Sequence, residues 1–404
     1  EILPPCETWD ELRTQIDVGC ARMHDAHHIT MSDYRVSIGM VRMTRIAHTA
    51  ALAVQLPTGL VRTHLRVVVC LHSNMPRLHR GWIETRLKRA LTRKGADAEA
   101  GIRSLCQDED LFERAEAVGA RDIEIVVVTS PAIETGNDLD FDYAILDPIS
   151  MRSVIQSAGR VRRHRPAVGV DPNVLIMGRS PVAMQAGSLR MPGVETPPHK
   201  DTRVPAQSLA DHTDRHLRDL LGDGNFARID AGPIISGTGH WPLRDAETAL
   251  RQAMIDAGPR SPLGTYVTHD LARINGRMNQ SRRFRRSATR DIAFFLAGET
   301  LDDAEWMMDL APGTRESAPM LAAGRGLNEH AAPGEALFRN VTDAAWMAYS
   351  QGRATLDGEA LRTLMRTQIA DYGDDTSIEM TYTDLTGFTR GSFEDLSKAF
   401  GKSS

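Results

Sequence analysis

The chain has 404 residues, 41% of them hydrophobic and 25% charged, with a formal net charge of −5, the profile of a globular protein with room for two or three domains. No apolar run approaches the roughly 20 residues that span a bilayer and no secretory leader is read at the start, so the expected location is cytoplasmic and no membrane partner is expected. Cys6, Cys20, Cys70 and Cys106 are scattered without a CxxC pair, so neither a disulfide framework nor a cysteine zinc site is implied.

The chain opens on Glu1 in mid-pattern, as a fragment or a processed piece would. From Tyr34 to Arg179 strands and helices alternate. "RVSIGMVRM" (Arg35–Met43) predicts a strand, "IAHTAALAVQL" (Ile46–Leu56) a helix and "LRVVVCLHS" (Leu65–Ser73) a buried strand. A basic amphipathic helix (His79–Lys94) and the strand "IEIVVVTS" (Ile123–Ser130) follow. Then come a short strand (Asp142–Pro148), a helix over Ser150–Pro166 and a last strand, Asn173–Gly178. Continuous Val/Ile/Leu runs separated by helical patterns predict a parallel sheet covered on both faces, a doubly wound α/β domain.

Beyond Arg179 the composition turns rich in Pro, Gly, Ser and Thr until about Pro205, a long loop or linker. A basic stretch, Ala272–Arg290, precedes an acidic tail read as mostly helical. The expected division is therefore 1–33 as a connecting segment, 34–180 as the α/β domain, 181–290 as linker and accessory segment, and 291–404 as a C-terminal domain.

Arginine outnumbers lysine about eight to one, and guanidinium groups bind phosphate in a bidentate fashion that ammonium groups do not. The arginines fall in stripes, at Arg62–Lys94 and again at Arg273–Arg290, and a stripe is what a nucleic acid meets.

Three features sit where strands end. His72 and Ser73 close the second long strand, at the edge where open α/β sheets bind ligands, and a small hydroxyl there can hold a nucleic-acid phosphate. In "VVVTSPAIETGNDLDFDYAI" a strand runs into Thr129 and Ser130 and then a loop with Glu134, Gly136, Asp138 and Asp140. Its hydroxyls suit backbone phosphate, and a carboxylate suits a ribose hydroxyl or an arginine; a merely solvated acidic loop is the plain alternative. The third, "QSAGRVRRHRP", gives Q-x-x-G-R-x-x-R from Gln156, Gly159, Arg160 and Arg163. On a helix Arg160 and Arg163 share a face, and such a pair suits a γ-phosphate delivered from a neighbouring domain. A basic helix end is also favourable against the macrodipole alone.

The order of these features is that of the second motor domain of a superfamily 2 helicase. The stretch "TSPAIETGNDLDFDYAILDPISMRSVIQSAGRVRRHRP" resembles motifs V and VI of the CRISPR-associated helicase–nuclease of type I interference, most closely its I-F branch. The resemblance implies a RecA-like sheet, with Gln156, Arg160 and Arg163 facing ATP and Asp138 and Gly159 at the nucleotide. It makes His72 and Ser73 motif IV, and Thr129 and Ser130 the motif V hydroxyls, with the one that meets DNA left open. It further implies an ATP-driven single-stranded DNA translocase coupled to a nuclease that degrades foreign DNA. Its partners would be single-stranded DNA, the RNA-guided surveillance complex, upstream motor and nuclease domains and the spacer-integration complex.

No G-x-x-x-x-G-K-[ST] phosphate loop and no D-E-x-[DH] box occurs in the sequence, so ATP and Mg2+ are expected to be bound mainly by an upstream domain, and the nuclease's divalent metal by another. The rival expectations are a different superfamily 2 motor, such as a restriction translocase or an RNA helicase, and a half-motor that binds as a scaffold without hydrolysis. Arg282, Arg283, Arg285 and Arg286 around Phe284 read as a DNA track or as a solvated loop. Cys20 and His24, one helical turn apart, could place two metal ligands on one face, but the expected role is structural and no metal ligand is assigned. Trp241, Trp306 and Trp346 are expected in packing.

Overall fold

In chain order the structure, a computed structural model, opens with α1 (Trp9–His27), β1 (Ile29–Met31), β2 (Tyr34–Arg42) and α2 (Ile46–Gln55). It continues with β3 (Gly59–Val61), β4 (His64–Leu71), α3 (Arg77–Leu91), α4 (Ala100–Asp108), α5 (Leu111–Ala117) and β5 (Asp122–Thr129). After a 3-10 turn (Pro131–Glu134) come β6 (Tyr143–Leu146), α6 (Met151–Ala158), β7 (Val174–Ile176) and α7 (Pro181–Ala186). The residues described are 1–95, 97–134, 138–148, 150–165, 171–186, 244–245, 247–249, 292–311, 314–317, 320–321, 336–338, 341–351, 358–369 and 380–390. The chain divides into two units: Glu1–Glu7, Asp147–Ala158 and Ile176–Arg290 form one, and Thr8–Leu146, Gly159–Leu175 and Asp291–Ser404 the other.

The strands form a seven-stranded sheet in the order β3-β4-β5-β2-β6-β7, with β1 antiparallel on the first half of β2. β4, β5, β2 and β6 run parallel, as the sequence predicts. Every residue of β4 and β5 is buried, which is the physical meaning of an apolar run with no polar face: helices cover both sides. The architecture is α/β.

Residues 1–33, expected only to connect, contain the 19-residue α1. Its start is fixed by a capping box in which Thr8 Oγ1 accepts from the Glu11 amide and Glu11 accepts from the Thr8 amide. Ile16, Cys20 and His24 line its buried face, and Gly19 brings it against Ile145 and Leu175. Gly39 on β2 has a comparable role, because a Cβ there would lie 2.0 Å from Cζ of Tyr143 on the neighbouring β6.

Two expectations are corrected. The helix predicted over Ser150–Pro166 ends at Ala158, because the next residues pair as extended chain with Phe141: Phe141 N donates to Arg160 O (2.8 Å) and Arg162 N to Phe141 O (2.9 Å). The C-terminal part, expected to be mostly helical, is strand-rich among the described residues. A four-stranded sheet in the order β10-β9-β8-β12 contains β8 (Ile292–Ala297), β9 (Glu305–Ala311), β10 (Thr314–Ser317) and β12 (Arg366–Ile369). A three-stranded one contains β11 (Met320–Leu321), β13 (Met380–Thr383) and β14 (Gly387–Arg390), and the helices are α8 (Val341–Ser350) and α9 (Gly358–Leu364). β-Branched and aromatic residues at alternate positions, as in "MTYT" and "GFTR", outweigh the acidic composition. Trp306 lies in this core with Phe294, Tyr382 and Phe388, Trp346 packs at its margin, and Trp241 falls outside the described residues.

This core closes over the end of β4. Leu337 N donates to Val68 O (2.8 Å), Phe388 N to Asn74 O (3.3 Å), and the Tyr382 hydroxyl bonds His79 Nδ1 (3.1 Å). Gly387, at φ +60, presses against Met75. No helix among the described residues is long and apolar enough to cross a membrane.

Two consequences can be measured. Gly39→Ala should lower stability by about 1–3 kcal/mol through overpacking, with partial recovery on adding Tyr143→Leu, read from urea unfolding. Burial pushes the His72 and His79 pKa down to about 4 and about 3, so the unfolded chain takes up their protons first. Stability should therefore fall below pH 6.5, by about 1.4 kcal/mol per unit for each. Burial raises Asp384 to about 6, which has the opposite sign and offsets one histidine between pH 6 and 4. The pH slope of the urea midpoint should flatten in His79→Gln.

Candidate functional site

Strand register aligns Arg42, Leu71, Thr129 and Leu146 at the carboxyl edge of the sheet. His72–Ser73 after β4 therefore adjoins Thr129–Ser130 after β5, and Ser130 N donates to Leu71 O (3.1 Å). Two of these four side chains turn inward, against the sequence expectation that they meet nucleic acid. His72 is fully buried and its Nδ1 accepts from Asn74 N (3.2 Å). Thr129 is fully buried too, and its hydroxyl donates to Leu71 O (3.0 Å). A polar group sealed from water must find its hydrogen bond inside, as the Thr129 hydroxyl and His72 Nδ1 have done. Ser130 Oγ is in reach of Ala132 N (3.4 Å), and Ser73 is exposed.

The segment Asp138-Leu139-Asp140-Phe141-Asp142 is extended, so its carboxylates alternate with the buried Leu139 and Phe141. Each carboxylate has a different task. Asp142 is fully buried, accepts from Ile38 N (2.7 Å) and is gripped by Arg93 (2.5 and 2.9 Å) and Arg165 (2.7 Å). Burial pushes its pKa up, but the Arg93 guanidinium outweighs this and holds the carboxyl below its usual range. Asp140, also fully buried, accepts from the Arg163 amide (3.1 Å), the His164 amide (3.3 Å) and the Arg165 guanidinium (2.9 Å). Asp138 is at the surface with Lys94, with Arg163 Nε at 3.2 Å and with His164 Nε2 at 2.9 Å. Hydrogen bonds from Lys94 and His164 depress its pKa to about 2.

The structure thus brings Asp138 and Arg163 together and separates Arg163 from Arg160. Arg160 is buried and Arg163 exposed, because after α6 the chain turns, bridges Phe141 at Val161 and takes a left-handed conformation at Arg162 (φ 47), whereas the predicted helix would have aligned the two arginines. Gln156 on α6 and Gly159 after it are exposed; Glu247 accepts from the Met151 amide at the start of α6. Arg282, Arg283, Arg285 and Arg286 lie outside the described residues. The sequence reading gave Asp142 and Arg93 no role. The signal for them is acid at every second position, 138, 140 and 142.

Residues 35–166, which contain this whole arrangement, match the family described as CRISPR-associated nuclease/helicase Cas3, C-terminal. Over 305 residues the chain is 34% identical to a CRISPR-associated nuclease/helicase Cas3 subtype I-F/YPEST from Pseudomonas aeruginosa. The chain carries a C-terminal portion of Cas3. Its branch is subtype I-F: the Cas3 of that subtype from Pectobacterium atrosepticum is also 34% identical, over 221 residues. These alignments cover 73% and 53% of this chain but 27% and 18% of the relatives, so the chain spans about a quarter of their length or less. The crystal structure of T. fusca Cas3 with AMPPNP overlaps 94% of this chain and 39% of its own at 12% identity, with a TM-score of 0.38. At that overlap, membership of Cas3 rests on the sequence matches.

The clamp predicts unequal stabilities along this Cas3 segment. Asp140→Ala should cost about 1–3 kcal/mol, since it removes one of the two carboxylates that answer Arg165 and the acceptor of two amides. Asp138→Asn, at the surface, should leave the unfolding midpoint nearly unchanged.

Proposed function

We propose that this chain works as the second RecA-like lobe and accessory region of an ATP-dependent, single-stranded DNA translocase that feeds a nuclease in CRISPR interference. In this reading residues 34–180 are the motor lobe and 181–404 the linker and C-terminal domain. The observation that carries it is the state of Arg163. Its backbone is fixed by the buried Asp140, while its side chain is 44% exposed and meets Asp138 at 3.2 Å. A surface ion pair of this kind contributes little stability. A γ-phosphate presented by a facing lobe can therefore draw the guanidinium away from Asp138 without disturbing the loop that holds it.

The donor set fits one side of a nucleotide. Arg163 would neutralise the γ-phosphate, with Asp138 as the partner it leaves, and an upstream lobe would hold the remaining phosphates and Mg2+. The bound nucleotide supplies the energy of hydrolysis. Ser73, with Ser130 beside it, would hold the DNA backbone at the carboxyl edge, and Arg282, Arg283, Arg285 and Arg286 would extend the track. The family's link to CRISPR supports an RNA-guided surveillance complex as the recruiting partner.

Arg163→Ala in the full-length protein containing this chain should lower DNA-stimulated ATP turnover by about 10³-fold or more, the range lost with an arginine finger. Single-strand affinity, read by fluorescence anisotropy, should stay within about twofold, because a surface guanidinium aimed at nucleotide leaves the phosphate track intact. Unchanged turnover would overturn the assignment.

A further inference from the structure

The amino edge of the same sheet carries a second cluster, which the proposed function does not use. Register sets Arg35 of β2, Asp122 of β5 and His64 of β4 in one row, and Ser37, Glu124 and Arg66 in the next but one. The two-residue period turns both rows to one face, and α1 meets that face with Asp17, Cys20 and His24. His24 Nε2 is 3.0 Å from Asp122 Oδ1 and His24 Nδ1 is 2.7 Å from Ser37 Oγ. The rings of His24 and His64 are 4.5 Å apart between centroids. His24, His64 and Asp122 are all buried, and one donor atom from each lies within 4.8 Å of the others.

His64 is the unusual member. It is 4% exposed, and its Nδ1 is enclosed with no hydrogen-bond partner among the described residues. The nearest carboxylate oxygens are Glu124 Oε2, 3.9 Å from Nδ1, and Asp25 Oδ1, 3.6 Å from Nε2, both beyond hydrogen-bond reach. Such a group in an interior is unusual unless a water or an ion belongs there. Charge points the same way. The carboxylates of Asp17, Asp25, Asp122 and Glu124 face the guanidiniums of Arg35, Arg62 and Arg66, which leaves one negative charge over when the imidazoles are neutral.

We propose that His24, His64 and Asp122 bind a zinc ion, with water in the fourth position. The supports that metal ligands need are in place. Ser37 orients the His24 ring, and Arg35 grips both oxygens of Asp122 (2.6 and 2.7 Å) and fixes its plane. Burial lowers the pKa of His24, which favours the neutral ring that ligates metal. Two donors on a tetrahedral zinc with bonds of about 2.0–2.1 Å stand about 3.3 Å apart, so the His24 to Asp122 separation needs only a few tenths of an ångström. Zinc would take the place of the proton between those two atoms. Cys20, the partner the sequence spacing suggests for His24, lies outside the set whose donor atoms converge among the described residues. The ion would pin α1 to β4 and β5, and its ligands are none of the residues that hold Arg163, so the proposal stands independently of the nucleotide reading.

The test uses the 404-residue chain stripped with a chelator and titrated with Zn2+, and separately with Co2+. One equivalent should bind, with a rise in the thermal midpoint and a Co2+ visible spectrum of nitrogen and oxygen ligands without a thiolate charge-transfer band. His64→Gln should bind at least about tenfold more weakly while keeping the wild-type circular dichroism. If that variant fails to fold, the stoichiometry and Co2+ spectrum of the wild-type chain decide alone. No saturable binding, a thiolate band, or equal affinity in a folded His64→Gln would overturn the proposal.

Discussion

A charge withdrawn from water has to be answered inside the protein, and this fold is arranged around that demand. Asp140 and Asp142 have no access to solvent, and they are met by backbone amides and by the guanidiniums of Arg93 and Arg165. These pairings hold the stretch 160–165 alongside 138–142, and that stretch decides which arginine faces outward. Coulombic and hydrogen-bond strength here goes into position more than into net stability, since buried ion pairs seldom outperform apolar packing. The ordering of a loop without helical structure is the result.

The same three strands carry two unlike edges. Their carboxyl ends leave Ser73 exposed, at the edge where open parallel sheets bind ligands. Their amino ends bury a dense ionic layer under α1, in which Arg66 and Glu124 are both wholly inaccessible.

Much of this was legible from residue order. The apolar runs gave the parallel sheet, and the spacing of Gln156, Gly159, Arg160 and Arg163 drew attention to the stretch that the structure pairs with Asp138–Asp142. What failed did so for a definable reason: local periodicity cannot see a partner from elsewhere in the chain. "SMRSVIQSAGRVRRHRP" is a plausible helix until Phe141 offers Arg160 and Arg162 a better set of hydrogen bonds. His72 and Thr129 look accessible until the covering strands are known. The ionic layer was visible as polar residues at alternate positions in Arg35/Ser37, His64/Arg66 and Asp122/Glu124, but its meaning depends on a register that no single strand reveals. Short strands rich in threonine and aromatics near the end of an acidic chain carry the weakest signal, and there the helical expectation gave way.

The hairpin around Gly387 has a consequence in time. Phe388 donates its amide to Asn74 and Gly387 rests on Met75, so the end of β4 is closed by residues made long after it. At about 5–20 residues per second, a ribosome needs roughly a quarter of a minute to a minute to pass from one to the other. Through that interval the nascent lobe presents His79, Trp82 and the Val68 carbonyl without the cover they have in the finished protein. Such a lobe is a natural client for chaperones during synthesis.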